Sequence, residues 1–393
     1  MSQSYCFRLL GVCALAMGVA ASAAAQQVKT VFVVAIENHN WTQPDHKFEG
    51  KIQQIQGNPN APFINSLVNG TSPISSQVAY ASAYHNAMAT ADGDNPHIHP
   101  SEPNYIWAEA GTNFGVANDN DPYSSKGPTN QDTNQHLCSL LTKAGKTWKS
   151  YQEDIDLTPT ATGQLTSVAL PPDRWTVPLA SFSGALAEGF TNSYNGSAQF
   201  SYAVKHNPMA FFTDTNGDDI TTVTNPLSKN YAPLQQLAID LSRNTLASFN
   251  WITPDQYNDM HTSLNGGYKG LTGDAASIKQ GDDFLSKMIP LIMASDAYRN
   301  GGVIIIWCDE AERDGSDGDN ADRFDHTIPE IVISSLAHPN VNGKPYAGAA
   351  NYTHSSDLRT MQEIFHVGPY LADAAKATDL SDLFAPGVIP GQP

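Results

Sequence analysis

The apolar positions of the chain fall into short, dense runs that are separated by long polar stretches. Residues 28–36 and 302–307 are nearly continuous runs of β-branched and other apolar residues. Such runs are typical of strands that are buried on both faces of a parallel sheet. Residues 328–333 predict another strand of this kind, and residues 209–213 predict a weaker one.

Segments with helical periodicity lie between these runs, at residues 62–69, 105–110, 133–144, 234–243, 282–298 and 355–365. Strands that alternate with helices predict an α/β fold, built as a three-layer sandwich around a central, mostly parallel sheet. Neither an internal repeat nor a linker of uniform composition divides the sequence. We therefore expect residues 26–393 to form a single domain with long polar insertions.

The first 25 residues have the pattern of a secretory signal peptide. Arg8 precedes an apolar run at residues 9–20, and three alanines at residues 23–25 resemble a cleavage site. The run is too short to span a bilayer, and no later stretch is long and apolar enough to do so. The sequence thus predicts a periplasmic or secreted protein without a stable membrane anchor.

Composition narrows the classes of function. Of 393 residues, 40% are hydrophobic, which is enough for a large core and argues against a disordered chain. Asp and Glu number 39 against 21 Lys and Arg, so the formal net charge is −18. Nucleic acid requires a basic surface and is not an expected partner. A small anionic substrate is compatible with this charge if a metal ion supplies positive charge locally.

Two cysteines remain after removal of the signal peptide, Cys138 and Cys308. In an oxidising compartment they could form a disulfide. Both also lie in segments where a small buried thiol fits the core. The sequence leaves these two interpretations open.

Acidic side chains follow two of the predicted strands. Glu37 and Asn38 come directly after one strand, and Asp309 and Glu310 follow another. In an open parallel sheet, ligands bind at the carboxyl ends of the strands. Two carboxylates that face each other stay ionised at low cost only with a cation between them. These residues therefore either hold a metal ion or cap the helices that follow.

Ser101 stands between Pro100 and Pro103, just before the predicted helix at 105–110. The prolines restrict the backbone, so we expect Ser101 to be held in a rigid turn. A serine at a helix N-terminus faces free N–H groups and the positive end of the helix dipole, which suit a phosphate. A nearby metal would make its hydroxyl a nucleophile. The alternative is an ordinary N-cap serine.

Histidines occur in two polar loops. His206 belongs to the segment KHNP, and His261 ends the segment ITPDQYNDMH, which also contains Asp259. Loops that combine oxygen donors with an imidazole are common at metal or phosphate sites. A single histidine is more often a surface or core residue, so the prediction depends on their joint occurrence.

Together, these motifs form a recognisable set. It consists, in chain order, of ENH, HPSEPNY, TWKSYQED, KHNP, ITPDQYNDMH, DE and YTHSSDLRTMQEIF. The set resembles the bacterial acid phosphatase and phospholipase C phosphoesterase family, a branch of the alkaline phosphatase superfamily. The resemblance extends over about residues 28–365. It implies an alkaline-phosphatase-like fold and a single phosphoesterase catalytic domain.

The resemblance also implies roles for individual residues. Ser101 is expected to be the nucleophile that becomes phosphorylated, and Asn104 is expected to donate to a phosphate oxygen. His206 and His261 are expected to bind phosphate or to act as acid–base groups. The expected metal ligands are Glu37, Asn38, Asp309 and Glu310 for one divalent ion, and Asp259 and His354 for a second. Calcium, magnesium, manganese, iron and zinc all fit these donor types.

The implied function is an exported, metal-dependent acid phosphatase that hydrolyses phosphomonoesters through a phosphoserine. Two alternatives stay open, a phospholipase C-type phosphodiesterase and an exported binding protein without catalytic activity. A sulfatase is disfavoured because Tyr105 stands where the sulfatase motif has arginine. A small phosphate ester is the expected partner, and the oligomeric state stays open.

Overall fold

A computed structural model describes residues 27–43, 53–86, 99–312 and 327–391 of the chain. The predicted signal peptide at residues 1–25 lies outside these residues. Within the described ranges, no helix combines the length and the apolar character that crossing a membrane would require.

The strands lie along the whole described chain. In order they are β1 (Thr30–Ile36), β2 (Val78–Ala81), β3 (Trp148–Gln152), β4 (Leu157–Pro159), β5 (Leu165–Ser167), β6 (Phe182–Ala185), β7 (Gln199–Tyr202), β8 (Tyr231–Pro233), β9 (Phe249–Thr253), β10 (Gly302–Cys308), β11 (Glu330–Ile333) and β12 (Tyr346–Gly348).

The α-helices lie between the strands of the main sheet and after them. In order they are α1 (Pro62–Asn69), α2 (Ser101–Ala110), α3 (Leu137–Lys143), α4 (Thr213–Asn216), α5 (Gln235–Arg243), α6 (Asp274–Met293), α7 (Asp296–Arg299) and α8 (His354–Phe365).

Eight strands form the main sheet, in the order β12-β2-β11-β10-β1-β9-β3-β8. All neighbours in this sheet are parallel except around β11, which runs antiparallel to both β10 and β2. Two small antiparallel pairs, β4–β5 and β6–β7, stand apart from it. The predicted α/β fold with a central, mostly parallel sheet is confirmed.

The middle of the sheet is covered on both faces. Successive residues of a strand point to opposite faces, yet every residue of β10 and all but the first of β1 are buried. Helices pack in two groups, α1 with α6, and α2 with α3 and α8. This arrangement of helices around a central sheet is that of the predicted three-layer sandwich.

Four predicted elements differ from the structure, and one of them is the helix expected at 133–144, which spans Leu137–Lys143. The strand expected at residues 209–213 is wrong, because Pro208–Phe211 forms a 3₁₀ turn that leads into α4. Pro208 fixes its own φ and lacks an N–H, which suits the start of a helical turn and not a ladder. The run is apolar because its side chains are fully buried, and burial alone does not identify a strand.

The other two differences concern where helices begin and end. The helix expected at 105–110 begins at Ser101, so Pro103 lies in its first turn, where the missing N–H costs nothing. The helix expected at 282–298 begins at Asp274 and ends at Met293, and α7 follows as a separate turn. Cys138 and Cys308 are both buried free thiols, so they do not form a disulfide in this structure.

Candidate functional site

The pairing of β1 with β10 brings the first two acidic groups together. The two strands are parallel, and Ile36 lies opposite Cys308 at their carboxyl ends. The next residues, Glu37 and Asp309, therefore leave the sheet side by side, and both are fully buried. The backbone N–H of Asn38 donates to Asp309 Oδ1 at 3.0 Å, which fixes the two loop starts relative to each other.

Ser101 is the first residue of α2 and lies directly over this edge of the sheet. Its hydroxyl donates to Glu37 Oε2 at 3.2 Å and lies 3.3 Å from Glu310 Oε1. Only 1% of the residue is exposed. The structure thus brings the predicted nucleophile into contact with two of the predicted metal ligands.

The first turn of α2 contributes two further groups. Asn104 Nδ2 donates to Glu310 Oε2 at 3.2 Å, and the Tyr105 hydroxyl donates to Glu37 Oε1. His99, just before the helix, places Nδ1 at 2.8 Å from Glu310 Oε2. The N-terminal end of α2 therefore holds both glutamates in position.

Two histidines and an aspartate line the other side of Glu37. His206 Nε2 lies 3.3 Å from Glu37 Oε2, and His206 Nδ1 lies 3.2 Å from Asp259 Oδ2. The His206 ring stacks on Tyr105, with 5.2 Å between the ring centroids. Ligand atoms of Glu37, His206 and His261 lie within 4.8 Å of one another, a spacing that could hold a metal ion.

Burial dominates the electrostatics of these groups. Burial raises the pKa of Glu37 well above its usual value, and the neighbouring Asp309 and Asp259 add to this effect. Burial and the charge of Glu310 raise the pKa of Asp309 to about 7. Burial, the charge of Lys205 and His39 lower the pKa of His261 to about 3. The carboxylates repel one another and the imidazoles are neutral. A cation bound between these groups would therefore stabilise the ionised carboxylates.

Several buried polar atoms of this cluster have no hydrogen-bond partner in the described part of the chain. They are Asp309 Oδ2, Asp259 Oδ2 and both ring nitrogens of His206, which lie 3.2 Å and 3.3 Å from carboxylate oxygens but not in hydrogen-bond geometry. Burying such atoms without a partner costs about 1–3 kcal/mol each. Oxygen and imidazole nitrogen are the donors that divalent metals prefer, so these residues fit a metal site.

His354 has a different environment from the one expected of a metal ligand. Its Nε2 contacts the backbone carbonyl oxygen of Asp309, and Trp307 Nε1 donates to its Nδ1 at 3.1 Å. Burial lowers the pKa of His354 to about 3. It lies beside the backbone of Asp309, outside the group formed by Glu37, His206 and His261.

A cavity of about 410 Å³ opens above these residues. Four of the residues singled out from the sequence line it, namely Asn38, Ser101, His261 and Glu310. Four lining residues were not singled out from the sequence: His99, Asp119, Lys205 and Glu312. Lys205 Nζ lies 3.0 Å from Asp119 Oδ2 and brings a positive charge to an otherwise acidic site. The sequence offered a signal for two of these residues, since His99 precedes Pro100 and Ser101, and Lys205 precedes His206.

Comparison with known proteins identifies the family of this chain. The model of the Phosphoesterase family matches residues 8–368. The match covers most of the chain, so the chain belongs to the Phosphoesterase family, and the predicted resemblance is confirmed at this level. It is a hydrolase that acts on phosphoric esters.

Curated relatives include phosphatases from bacteria and fungi. The phosphatidylinositol-3-phosphatase of Mycobacterium tuberculosis is 25% identical over 84% of this chain and 78% of its own length. An acid phosphatase of Aspergillus fumigatus is 29% identical over 44% of this chain and 30% of its own length. A probable acid phosphatase of Kluyveromyces lactis is 27% identical over 72% of this chain and 55% of its own length.

A comparison with solved structures also gave matches. A protein of the alkaline phosphatase superfamily from Vibrio parahaemolyticus has a TM-score of 0.45 and 13% identity, covering 92% of this chain and 73% of that one. Murine ectonucleotide pyrophosphatase/phosphodiesterase 5 has a TM-score of 0.44 and 9% identity, covering 91% of this chain and 100% of that one.

Proposed function

We propose that this chain is an exported, metal-dependent acid phosphatase that hydrolyses phosphomonoesters with Ser101 as its nucleophile. The observation that carries the proposal is the position of the Ser101 hydroxyl. It lines the 410 Å³ cavity and lies 3.2 Å and 3.3 Å from the carboxylates of Glu37 and Glu310. The phosphatase names of the curated relatives support the substrate class. The signal-like pattern at residues 1–25 supports export.

The residues at the carboxyl ends of β1 and β10 would hold the metal ion, with Glu37, Asn38, Asp309 and Glu310 as ligands. A bound divalent cation would supply positive charge for the phosphoryl oxygens and would lower the pKa of the Ser101 hydroxyl. Glu37, His206 and His261 would hold a second ion, with Asp259 next to His206. Hard oxygen donors suit calcium, magnesium or manganese, whereas the added imidazoles suit zinc or iron.

In the proposed reaction, Ser101 would lose its proton to water as Oγ approaches phosphorus. Glu37 and Glu310 lie 3.2 Å and 3.3 Å from Oγ and hold the hydroxyl in place. Oγ then bonds to phosphorus while the bond from phosphorus to the alcohol oxygen breaks. The leaving oxygen takes a proton from water. Water next attacks the phosphoserine, which releases phosphate and restores Ser101.

Neutral and cationic donors orient the phosphoryl group during these steps. Asn104 Nδ2 points at Glu310 from one turn above Ser101, so it is within reach of an oxygen bound between them. Lys205 lines the same cavity and brings the positive charge that a dianionic phosphomonoester requires. His261 lines the same cavity, where its ring is neutral because burial lowers its pKa to about 3, so water is the proton source for the leaving alcohol.

Replacement of Ser101 by alanine tests the nucleophile. We expect Ser101→Ala to lower kcat for p-nitrophenyl phosphate by about three decades or more, because loss of a nucleophile removes the covalent route. Ser242→Ala, at an exposed position of α5, is the matched control and should keep full activity. A Ser101→Ala enzyme that retains more than about a tenth of the wild-type kcat would show that Ser101 is not the nucleophile.

A further inference from the structure

A second group of acidic side chains lies further along the same edge of the sheet. Glu153 and Asp154 follow β3, and Asp255 comes two residues after the end of β9. The strands are parallel neighbours, which brings the two loops together. One carboxylate oxygen from each residue lies within 4.8 Å of the others, and all three residues are buried. The proposed reaction uses none of them.

Hydrogen-bond donors point at two of these carboxylates. Glu153 accepts bonds from Asn192 Nδ2 at 2.7 Å and from Asn258 Nδ2 at 3.0 Å. The backbone N–H of Asp255 donates to Glu153 Oε2 at 2.9 Å, and that of Ser201 donates to Asp154 Oδ2 at 3.2 Å. Donors that point at a carboxylate favour its charged state. The surrounding groups are thus arranged for negative charge.

An oxygen of Asp255 supplies an independent observation. Asp255 Oδ1 accepts the backbone N–H groups of Tyr257 and Asn258, at 3.1 Å and 2.9 Å. Asp255 Oδ2 is buried and has no hydrogen-bond partner within the described ranges, although the residue is only 1% exposed. Oδ1 is occupied by two N–H groups, so Oδ2 is the Asp255 oxygen that is available to a bound ion.

No basic side chain compensates the charge of this group among the described residues. None of the three carboxylates forms an ion pair with a lysine, arginine or histidine there. Burial and mutual repulsion raise the pKa of Asp154 and Asp255 well above the usual value. One proton shared by two acids would remove one of three charges, whereas a divalent cation removes two and takes oxygen as its ligand.

We propose that Glu153, Asp154 and Asp255 bind a calcium ion that joins the loop after β3 to the loop after β9. The ligands are all oxygen, and calcium accepts irregular oxygen shells at 2.3–2.6 Å, roughly the range that this spacing admits. Magnesium requires near-octahedral geometry and retains its waters, which a buried group of this kind does not favour. The loop after β9 also carries Asp259 and His261, so the ion would fix one wall of the catalytic cavity.

The experiment separates this site from the catalytic one. The mature chain is stripped with a chelator, desalted and titrated with Ca²⁺, with bound calcium counted by mass spectrometry and Tm followed by calorimetry. The titration is done in a chain carrying Glu37→Gln, Asp259→Asn, Asp309→Asn and Glu310→Gln, which removes the carboxylate ligands of both proposed catalytic ions. We expect about one bound Ca²⁺ per chain and a rise of Tm that grows with Ca²⁺ concentration.

Replacement of Asp255 by asparagine in this background tests the ligands. We expect the Ca²⁺ affinity to fall by at least about tenfold, since removal of a ligand exceeds the usual effect of its supporting groups. Asp173→Asn, at an exposed position outside this group, is the matched control and should leave the affinity unchanged. Equal affinities in the two variants would overturn the proposal.

The number of Ca²⁺ ions bound per chain tests the proposal without any substitution in the proposed site. If Asp255→Asn fails to fold, a count of zero Ca²⁺ in the parent background overturns the proposal, and a count of one supports it. A stripped chain whose Tm ignores Ca²⁺ and changes only with pH would indicate shared protons and would equally overturn it. The phosphatase proposal is judged separately, by the kcat of Ser101→Ala.

Discussion

At the scale of single residues, the site depends on side chains that hold the carboxylates in place. Tyr105 is fully buried, donates its hydroxyl to Glu37 and stacks on His206. It touches two candidate metal-binding residues without being a ligand itself. Groups that orient ligands in this way contribute to metal affinity through the geometry that they impose.

Removal of the Tyr105 hydroxyl should weaken metal binding. We expect Tyr105→Phe to raise the metal concentration for half-maximal activity by about 10- to 100-fold, because Glu37 loses a donor that orients it. Tyr123→Phe is the matched control, since it loses a single hydrogen bond, to Asn216, away from the cavity. An unchanged metal requirement in Tyr105→Phe would contradict this role.

Much of the site could be predicted from the sequence, and the reason is local. Glu37, Asp309 and Glu310 follow strongly apolar strands, and Ser101 stands in a short motif with two prolines. Asp119 could not be found in this way, because the cavity that it lines is formed by loops that are distant in sequence. A lone charged residue in a polar loop gives no signal of the cavity that it faces.

At the scale of elements, the strands that were missed carry polar residues inside the sheet. β3 and β9 are buried along almost their whole length, yet their sequences, WKSYQ and FNWIT, lack a continuous apolar run. Ser150 Oγ donates to Asn207 Oδ1 at 3.0 Å, and Asn250 Nδ2 donates to the carbonyl oxygen of Val31 at 3.1 Å. These internal hydrogen bonds make burial possible, and the local pattern does not reveal them.

Helix α1 receives its N-terminal cap from another helix. Its own N-cap residue, Ala61, has no side-chain acceptor, but Asp282 of α6 accepts the N–H groups of Phe63 and Ile64 at 3.2 Å and 2.9 Å. We expect Asp282→Ala to lower the free energy of unfolding by about 1–3 kcal/mol, because it leaves buried donors unpaired.

Chemical denaturation measures this loss. Asp296→Ala is the control, because Asp296 is exposed and its pair with Arg299 at the surface should contribute less than about 1 kcal/mol. Equal effects of the two substitutions would mean that the contact between α1 and α6 does not act as a cap.

A buried histidine joins α2 to α4. His136 Nδ1 lies 2.9 Å from Glu109 Oε2, and Nε2 lies 2.7 Å from Asp214 Oδ1. Burial acts to lower the pKa of His136, but the two carboxylates outweigh it and raise the pKa above 6.5. The protonated imidazole therefore stabilises the folded chain below about pH 6.5, and this contribution is lost as the pH rises through the raised pKa.

His136→Gln should remove this pH-dependent contribution. We expect the difference in free energy of unfolding between wild type and variant to be largest below pH 6.5 and to shrink at alkaline pH. Denaturation at a series of pH values measures it. A difference that stays constant, or that grows with pH, would mean that His136 is not protonated in the folded chain.

At the scale of the whole molecule, negative charge is concentrated where the sheet ends. The chain has a net charge of −18, and buried carboxylates follow β1, β3, β9 and β10 at one edge. The sequence predicted β1 and β10 and the acids that follow them, because each strand and its acids form one short stretch of consecutive residues. The convergence of four strand ends depends on the strand order, which no local pattern contains.

Removal of divalent ions should affect activity and stability together. We expect exhaustive chelation to abolish hydrolysis and to lower Tm, because buried carboxylates then repel one another without a cation. Added divalent metal should restore both. Calorimetry and assays before and after chelation measure the effect, and a chelated enzyme with full activity would contradict a metal-dependent reaction.

The pairing of β1 with β10 limits how this protein can change in length. The register runs without interruption from Thr30 opposite Gly302 to Ile36 opposite Cys308. One residue inserted into β1 would shift Glu37 by about 3.3 Å and turn its side chain to the opposite face of the sheet, and an insertion into β10 would do the same to Asp309. Insertions and deletions are therefore tolerable in the connecting segments but not in these two strands, and redesign of the pocket must leave both strands at their present length.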